Sequence, residues 1–394
     1  MSHRGSPFGI LGWAVFLACS WTWCIGMYFP VLITRDYGWP GFLAFLIPNA
    51  IGAGAMGTVL WIGHDSARFV RTHAGAVKLF ALVTILFQAW FCGWLIQGMG
   101  MLAGVAAGGF VLGYLVTLLS RRGTMQLTLA GLVWLVTMGV FAYLMTLDGV
   151  LMWDAPPIGE LSPGLLWLAP ICVFGFLLCP YLDPTFHRAN RALPARGGAW
   201  AFAIGFLVLF VPLVTLTYAA RSPVRLMGSH WSEAAIIALG LHIAVQLGFT
   251  SALHARELRG EPSGEDAKLS IPVGAGLVPM MIGVGASSAF LPDILGVDPR
   301  EAIYRSFMVF YGLLFPAYIW LIAIPTRSGH SGLRGSLGAR KRWVWLGACA
   351  LAVPFYSLGY LGMREPWLGV GLAIALLARL VLPADEVRVS HSAD

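Results

Sequence analysis

Twelve stretches of about twenty apolar residues follow one another along this chain, near 8–33, 40–63, 76–98, 101–120, 124–146, 163–182, 199–220, 232–255, 271–295, 301–325, 343–361 and 366–383. A helix needs about twenty such residues to cross the hydrocarbon of a bilayer. The links between them are short and leave no segment for a soluble domain. Composition agrees: of 394 residues 58% are hydrophobic and 11% charged, whereas soluble domains carry about 25% charge. The pattern predicts an all-α integral membrane protein of about twelve transmembrane helices, with the lipid bilayer as its partner.

Charge and cysteine usage refine that expectation. The net charge of +7 is spread over the links, which reads as topology and argues against nucleic acid as a partner. With the N-terminus inside, nineteen of the twenty-five Lys and Arg fall on the cytoplasmic side. Only Arg35, Arg221, Arg225, Arg300, Arg305 and Arg364 fall on the other, so the positive-inside rule puts both termini in the cytoplasm of a multi-pass plasma-membrane (inner-membrane) protein. All six cysteines lie within apolar runs, with no metal-ligand spacing and no disulfide framework. The first run is too long for a signal peptide and lacks a clear small-residue cleavage site, so it is expected to be a retained span.

Two spans are interrupted. Span 6 opens as an apolar helix after Gly164, is broken by Pro170, Gly175 and Pro180, and runs out into Asp183, His187, Arg188, Arg191 and Arg196. Proline removes a backbone donor and glycine offers no Cβ to resist unwinding. Backbone groups freed at membrane depth survive only where they face protein or a watery cavity, so this span marks a binding site. Span 1 carries Ala18-Cys19-Ser20-Trp21-Thr22-Trp23 and Gly26 before Pro30, small and hydroxyl residues mixed with tryptophan at mid-membrane. Non-helical backbone is expected around residues 18–22 and 174–176.

Polar residues at helical spacing supply the rest. Span 3 places Thr84, Gln88 and Cys92 on one face, and span 8 places His242, Gln246, Thr250 and His254 in a stripe with Ser251 beside it. A membrane helix keeps such a row when it faces a cavity or another polar helix. Asn49, in the small-residue face of span 2 from Ile47 to Gly57, is expected to make an interhelical hydrogen bond, and span 10 is expected to break at Pro316. Asp154 and Glu160 read as a solvated outer loop, Gly63-His64-Asp65 as a loop without metal-ligand partners, and His187 near Asp183 as an interfacial cap or a proton relay.

Interrupted first helices at equivalent places in two five-helix halves of opposite direction are the mark of one class of inverted-repeat transporter. On these features the chain resembles the LeuT-fold superfamily (amino acid-polyamine-organocation transporters), nearest in look to the sodium/solute symporters. The resemblance implies a 5+5 inverted repeat, 8–146 and 163–325, followed by two C-terminal helices, 343–383, in a single transmembrane domain. It implies secondary transport of a small neutral or zwitterionic solute by alternating access, without catalytic residues. Ser20, Thr22, Trp23, Gln88, Phe174, Gly175, His242 and Gln246 are the implied solute-binding residues. The only implied cofactor is a sodium ion, held by carbonyls at Ala18 and Trp21 with the Thr250-Ser251 hydroxyl pair. Two alternatives stand beside it. One is a major-facilitator-type transporter, also with twelve spans. The other is a membrane-embedded enzyme acting on a lipid-linked substrate through Asp183, His187 and His254.

Overall fold

The computed structural model describes residues 6–63, 66–98, 100, 103–120, 123–146, 162–219, 233–259, 276–324 and 335–382. His64, Asp65, Asp154 and Glu160 lie outside them. The helices are α1 (Pro7–Trp21), α2 (Cys24–Gly63), α3 (Ser66–Thr72), α4 (Ala74–Gly98), α5 (Ala103–Leu119), α6 (Gly123–Met145), α7 (Pro163–Leu178), α8 (Pro184–Ala192), α9 (Ala195–Ala203) and α10 (Val211–Ala219). They continue as α11 (Glu233–Arg259), α12 (Val278–Ser287), α13 (Pro299–Ala323), α14 (Gly335–Tyr360) and α15 (Pro366–Leu377). Among the described residues the only β feature is an isolated bridge between Ile294 and Val297.

Among the described residues eight helical stretches are long and apolar enough to cross a membrane, and four shorter apolar ones, Pro7–Trp21, Ala103–Leu119, Val278–Phe290 and Pro366–Val381, accompany them. The chain is an all-α, multi-pass membrane protein. Its polarity is turned inside out relative to a soluble bundle. Leu112 and Leu115 on α5, Leu135 and Val136 on α6 and Leu351 on α14 point outward, while Gln88, Gln246, Thr250 and His254 are fully buried. Leucine costs nothing against lipid, whereas amides and imidazoles need partners inside.

The local sequence explains where helices stop. Ser6 caps α1 by accepting from Gly9 N, with Pro7 at the first helical position. The helix ends at Thr22, which is extended (φ −84°, ψ 90°), and Cys24 starts α2. The interruption of span 1 is therefore at Thr22-Trp23, later than the 18–22 expected. The hydroxyls of Ser20 and Thr22 bond back to Leu17 O and Ala18 O, competing with the helical amides in the last turn before the break. Within α2, Gly38 (φ 64°, ψ −156°) turns span 1 into span 2, a conformation that a Cβ would oppose.

Span 6 departs further from expectation. It is continuous α-helix through Phe174, Gly175 and Phe176 and breaks at Cys179–Leu182, a 3-10 turn followed by extended Asp183. Pro180 and Pro184 cause the break by withholding amides. Gly175 serves packing instead. An added Cβ would lie 2.7 Å from Tyr311 O, so the glycine is a notch against α13. Span 10 is also uninterrupted at Pro316, because π-wound turns at Phe310–Leu314 and Ile319–Ala323 absorb the proline.

Four helices interlock through glycines. α4 crosses α12 where Gly93 faces Ile282 O and Gly285 faces Trp90 O. α5 crosses α11 where Gly113 faces Val245 O and Gly248 faces Phe110 O. Small residues at such crossings allow backbone to meet backbone. α11 also packs on α4, α1 on α6 and α9, and α2 on α7 and α9, so the two broken spans lie inside the bundle.

Candidate functional site

The two breaks meet a common set of side chains. A narrow cavity is lined by Trp21, Trp23, Ile25 and Gly26 from the span 1 break, Asn49 from span 2, Phe176 and Cys179 from span 6, and Tyr311 from α13. Asn49 Oδ1 accepts from the Trp21 indole N–H at 2.6 Å, the interhelical bond expected of it. The Tyr311 hydroxyl lies 3.0 Å from Thr84 Oγ1, and Cys179 Sγ donates to Tyr311 O. Trp23 and Tyr311 meet edge to face at 4.9 Å, with Phe80 against both.

The stripe on α11 faces this region. Gln246 Nε2 donates to Cys19 O at 2.6 Å, which the Thr22 amide also reaches at 3.3 Å, and to Thr22 O at 2.7 Å, so it serves the carbonyls at the end of α1. Thr250 Oγ1 donates to Gln88 Oε1 on α4 and lies 2.9 Å from Gln246 O. One hydrogen-bonded chain thus links α4, α11 and the break in span 1. His242 is buried higher on α11, 3.4 Å from the Thr137 hydroxyl of α6, and is not part of the chain. Ser20 is spent on Leu17 O, Ala18 O accepts from Thr22, and Phe174 and Gly175 sit on continuous helix above the span 6 break. Ser251 Oγ, Gln88 Nε2 and Gln246 Oε1 are buried without a hydrogen-bond partner. No protein-family model and no curated protein matches this chain.

The bundle is fastened at both ends. Gly38 and Gly63 lie about 37 Å apart along α2 at 1.5 Å per residue, so Arg35 and α3 mark opposite ends. At the Arg35 end both guanidinium NH groups of Arg35 hold Glu301 at 2.8 Å, and Arg305 bridges Glu301 to Asp36. Such bidentate geometry is the strong form of an ion pair. Neither this cluster nor Tyr311 had any periodic signal in the sequence, since Arg35 and Glu301 are joined only by the fold.

At the other end α8 lies on α3. His187 Nε2 donates to Tyr181 O at 2.8 Å, so its Nδ1 accepts from the Ser66 hydroxyl, which in turn accepts from Asn190. Phe69 stacks on the His187 ring and packs tilted against that of His73, and His73 Nδ1 lies 3.1 Å from the Tyr318 hydroxyl. His187 is therefore a cap on α3, one of its two expected roles. Burial pushes both imidazoles down to about 4. A histidine whose folded pKa lies below its free value keeps its full contribution above about 6.5 and loses stability as pH falls toward 4. Each costs about 2 kcal/mol at pH 5. Thermal unfolding in detergent should show a lower midpoint at pH 5 than at pH 7.5, and the pH sensitivity should shrink in His187→Gln. Equal sensitivity in that variant would show that this cap does not hold the end closed.

Proposed function

We propose that the protein is a secondary transporter that moves a small neutral or zwitterionic solute by alternating access, built as two inverted five-helix repeats with two further helices. The observation that carries this reading is the pair of breaks, at Thr22-Trp23 and Cys179–Asp183, which follow 15 and 16 residues of helix at the start of each half and open onto one aromatic cavity. The packing supports the repeat. Exchanging spans 1–5 with 6–10 maps the α4–α12 crossing onto α11–α5, the α1–α6 contact onto α7–α13, and α1–α9 onto α7–α2. Even the glycine notches correspond, Gly93 with Gly248 and Gly285 with Gly113. Half-helix ends give the site partial charges without full ones, which suits a neutral or zwitterionic solute, and the tryptophans offer ring faces for stacking. The glutamate–arginine cluster at Arg35 then serves as the outer closure and the α3–α8 contact as the cytoplasmic one.

Alternating access is testable before the solute is known. Gly26 lines the cavity and a Cβ there meets only Trp21 O at 3.8 Å, so Gly26→Cys is expected to fold. All six native cysteines are buried. In right-side-out and inside-out vesicles, an impermeant maleimide should label the variant from both faces and the parent far more slowly. Labelling from one face only would overturn the carrier. Sodium has oxygens to use in the Thr250 hydroxyl, Gln88 Oε1 and Gln246 O, but Cys19 O and Thr22 O are held by an amide. Sodium coupling thus requires Gln246 to release them. It is expected to make the labelling rates depend on sodium in the parent background and not after Thr250→Ala or Ser251→Ala.

A further inference from the structure

The geometry points to a proton-binding site shared by Asp183, at the hinge between α7 and α8, and His254 of α11, whose loading and release bias the cycle. It rests on the carrier reading above and adds the ion that the carrier uses.

Asp183 and His254 are both fully buried. One carboxylate oxygen, Oδ1, is committed: it caps α8 by accepting from Thr185 N at 2.7 Å and Thr185 Oγ1 at 2.6 Å. The other, Oδ2, has no hydrogen-bond partner, and neither ring nitrogen of His254 has one. Oδ2 and His254 Nε2 face each other at 3.9 Å, too far for a hydrogen bond. The walls are aromatic, with Trp23 at 6.5 Å and Phe80 at 6.2 Å from the imidazole, centroid to centroid.

Neighbouring ionisable groups are already engaged. From α8, Arg188 pairs with Glu257 of α11 at 3.3 Å and His187 holds Ser66 and Tyr181. Arg191 of α8 acts on Glu257 and His187 only at a distance. From α11, Arg256 is bonded to Ser120 O, and from α13, Tyr311 is bonded to Thr84. α4 and α1 bring the rings of Phe80 and Trp23.

An acceptor oxygen and an imidazole nitrogen face to face, both unbonded, lack one proton. A proton taken from water onto the Oδ2 lone pair, or onto Nε2, can be shared between them once they close by about 1 Å. Released again to water, it leaves a carboxylate among aromatic rings, and that uncompensated charge favours moving Asp183 toward solvent. Asp183 is extended chain between a 3-10 turn and α8, so that movement swings α8 away from α11 and α3. Proton occupancy thus sets whether the α8 end is shut.

The test uses Gly26→Cys in vesicles between about pH 5.5 and 8.5. The thiolate fraction of the cysteine itself rises with pH, so the readout is the ratio of labelling rates from the two faces, which should shift with pH by up to about tenfold per unit as one proton demands. Asp183→Asn keeps the Oδ1 cap on Thr185 but cannot ionise, and should hold that ratio at its low-pH value; His254→Gln should flatten the profile too. Infrared difference spectra between the two pH limits should show a carboxylic-acid band that Asp183→Asn lacks. An unchanged labelling profile in Asp183→Asn, or a profile abolished by His187→Gln instead, overturns the site. So does a pH-independent ratio in the Gly26→Cys protein, even one labelled from both faces, which leaves the carrier standing. If Asp183→Asn does not fold, the His254→Gln profile and the infrared band of the parent decide in the same way.

Discussion

Gly285→Ala is expected to cost the protein its fold. An alanine Cβ at that position would overlap Trp90 O and lie within 3.0 Å of Trp90 C and Trp94 N, all of them backbone atoms of α4. A side chain could turn aside, but a helix backbone cannot, so α4 and α12 must separate along the whole crossing. The Gly93 contact with Ile282 O then opens too. Overpacking a core costs about 1–3 kcal/mol when side chains absorb it, and here the loss includes the close packing on which membrane helices depend. We expect at least about 3 kcal/mol, seen as loss of monodisperse protein on size exclusion or a large fall in unfolding midpoint. Gly283→Ala on the same helix is the control. Nothing lies within 4 Å of its Cβ, so alanine should be neutral or favourable by up to about 1 kcal/mol through helix propensity. Equal behaviour of the two variants would remove close crossing as the reason for these glycines.

The membrane class was legible because it depends on apolar runs, and each run is mostly helix where the structure describes it. The polar stripe of α11 was legible for the same reason: four residues at i, i+4 spacing have to share a face, and a glutamine in hydrocarbon has to find partners. The break positions were less so. Gly175 and Pro180 both looked like interruptions, but in a membrane glycine marks close approach as readily as unwinding, and only the α13 carbonyl beside Gly175 tells which. Ser20 and Thr22 looked available to a ligand, yet each hydroxyl closes on a carbonyl of its own helix. Tyr311, Phe176 and Cys179 could not be picked out, since an aromatic or thiol in an apolar run carries no sign of which neighbour it meets. In the sequence Asp183 and His254 read as an acid–histidine cluster together with His187, but that these two face each other without His187 is a matter of packing across 71 positions, as is the Arg35–Glu301 pair across 266. Such pairs follow from tertiary packing alone.

Gln246→Leu is expected to have the second large effect, because one amide bonds both carbonyls at the end of α1. Gln246 Nε2 donates to Thr22 O and to Cys19 O from a fully buried position, and Cys19 O otherwise takes only the Thr22 amide at 3.3 Å. Leucine fills similar volume but leaves Thr22 O without this donor and Cys19 O with the Thr22 amide alone. The expected loss is roughly 1–3 kcal/mol in unfolding free energy. Gln246→Glu separates the bonds from the volume: a protonated glutamate has one donor for two carbonyls, and an ionised one repels both. Measured against the parent at each pH, its deficit should grow as pH rises, where the deficit of Gln246→Leu stays constant. The same amide ties α11 to the broken end of α1, so, on the carrier reading proposed above, Gln246→Leu in the Gly26→Cys background should also unbalance labelling between the two faces by tenfold or more, the scale of about 1.4 kcal/mol between states. A Gln246→Leu protein with the parent's midpoint and the parent's labelling ratio would show that the carbonyls of the break find other partners, and that the α1–α11 tie does not govern the cycle.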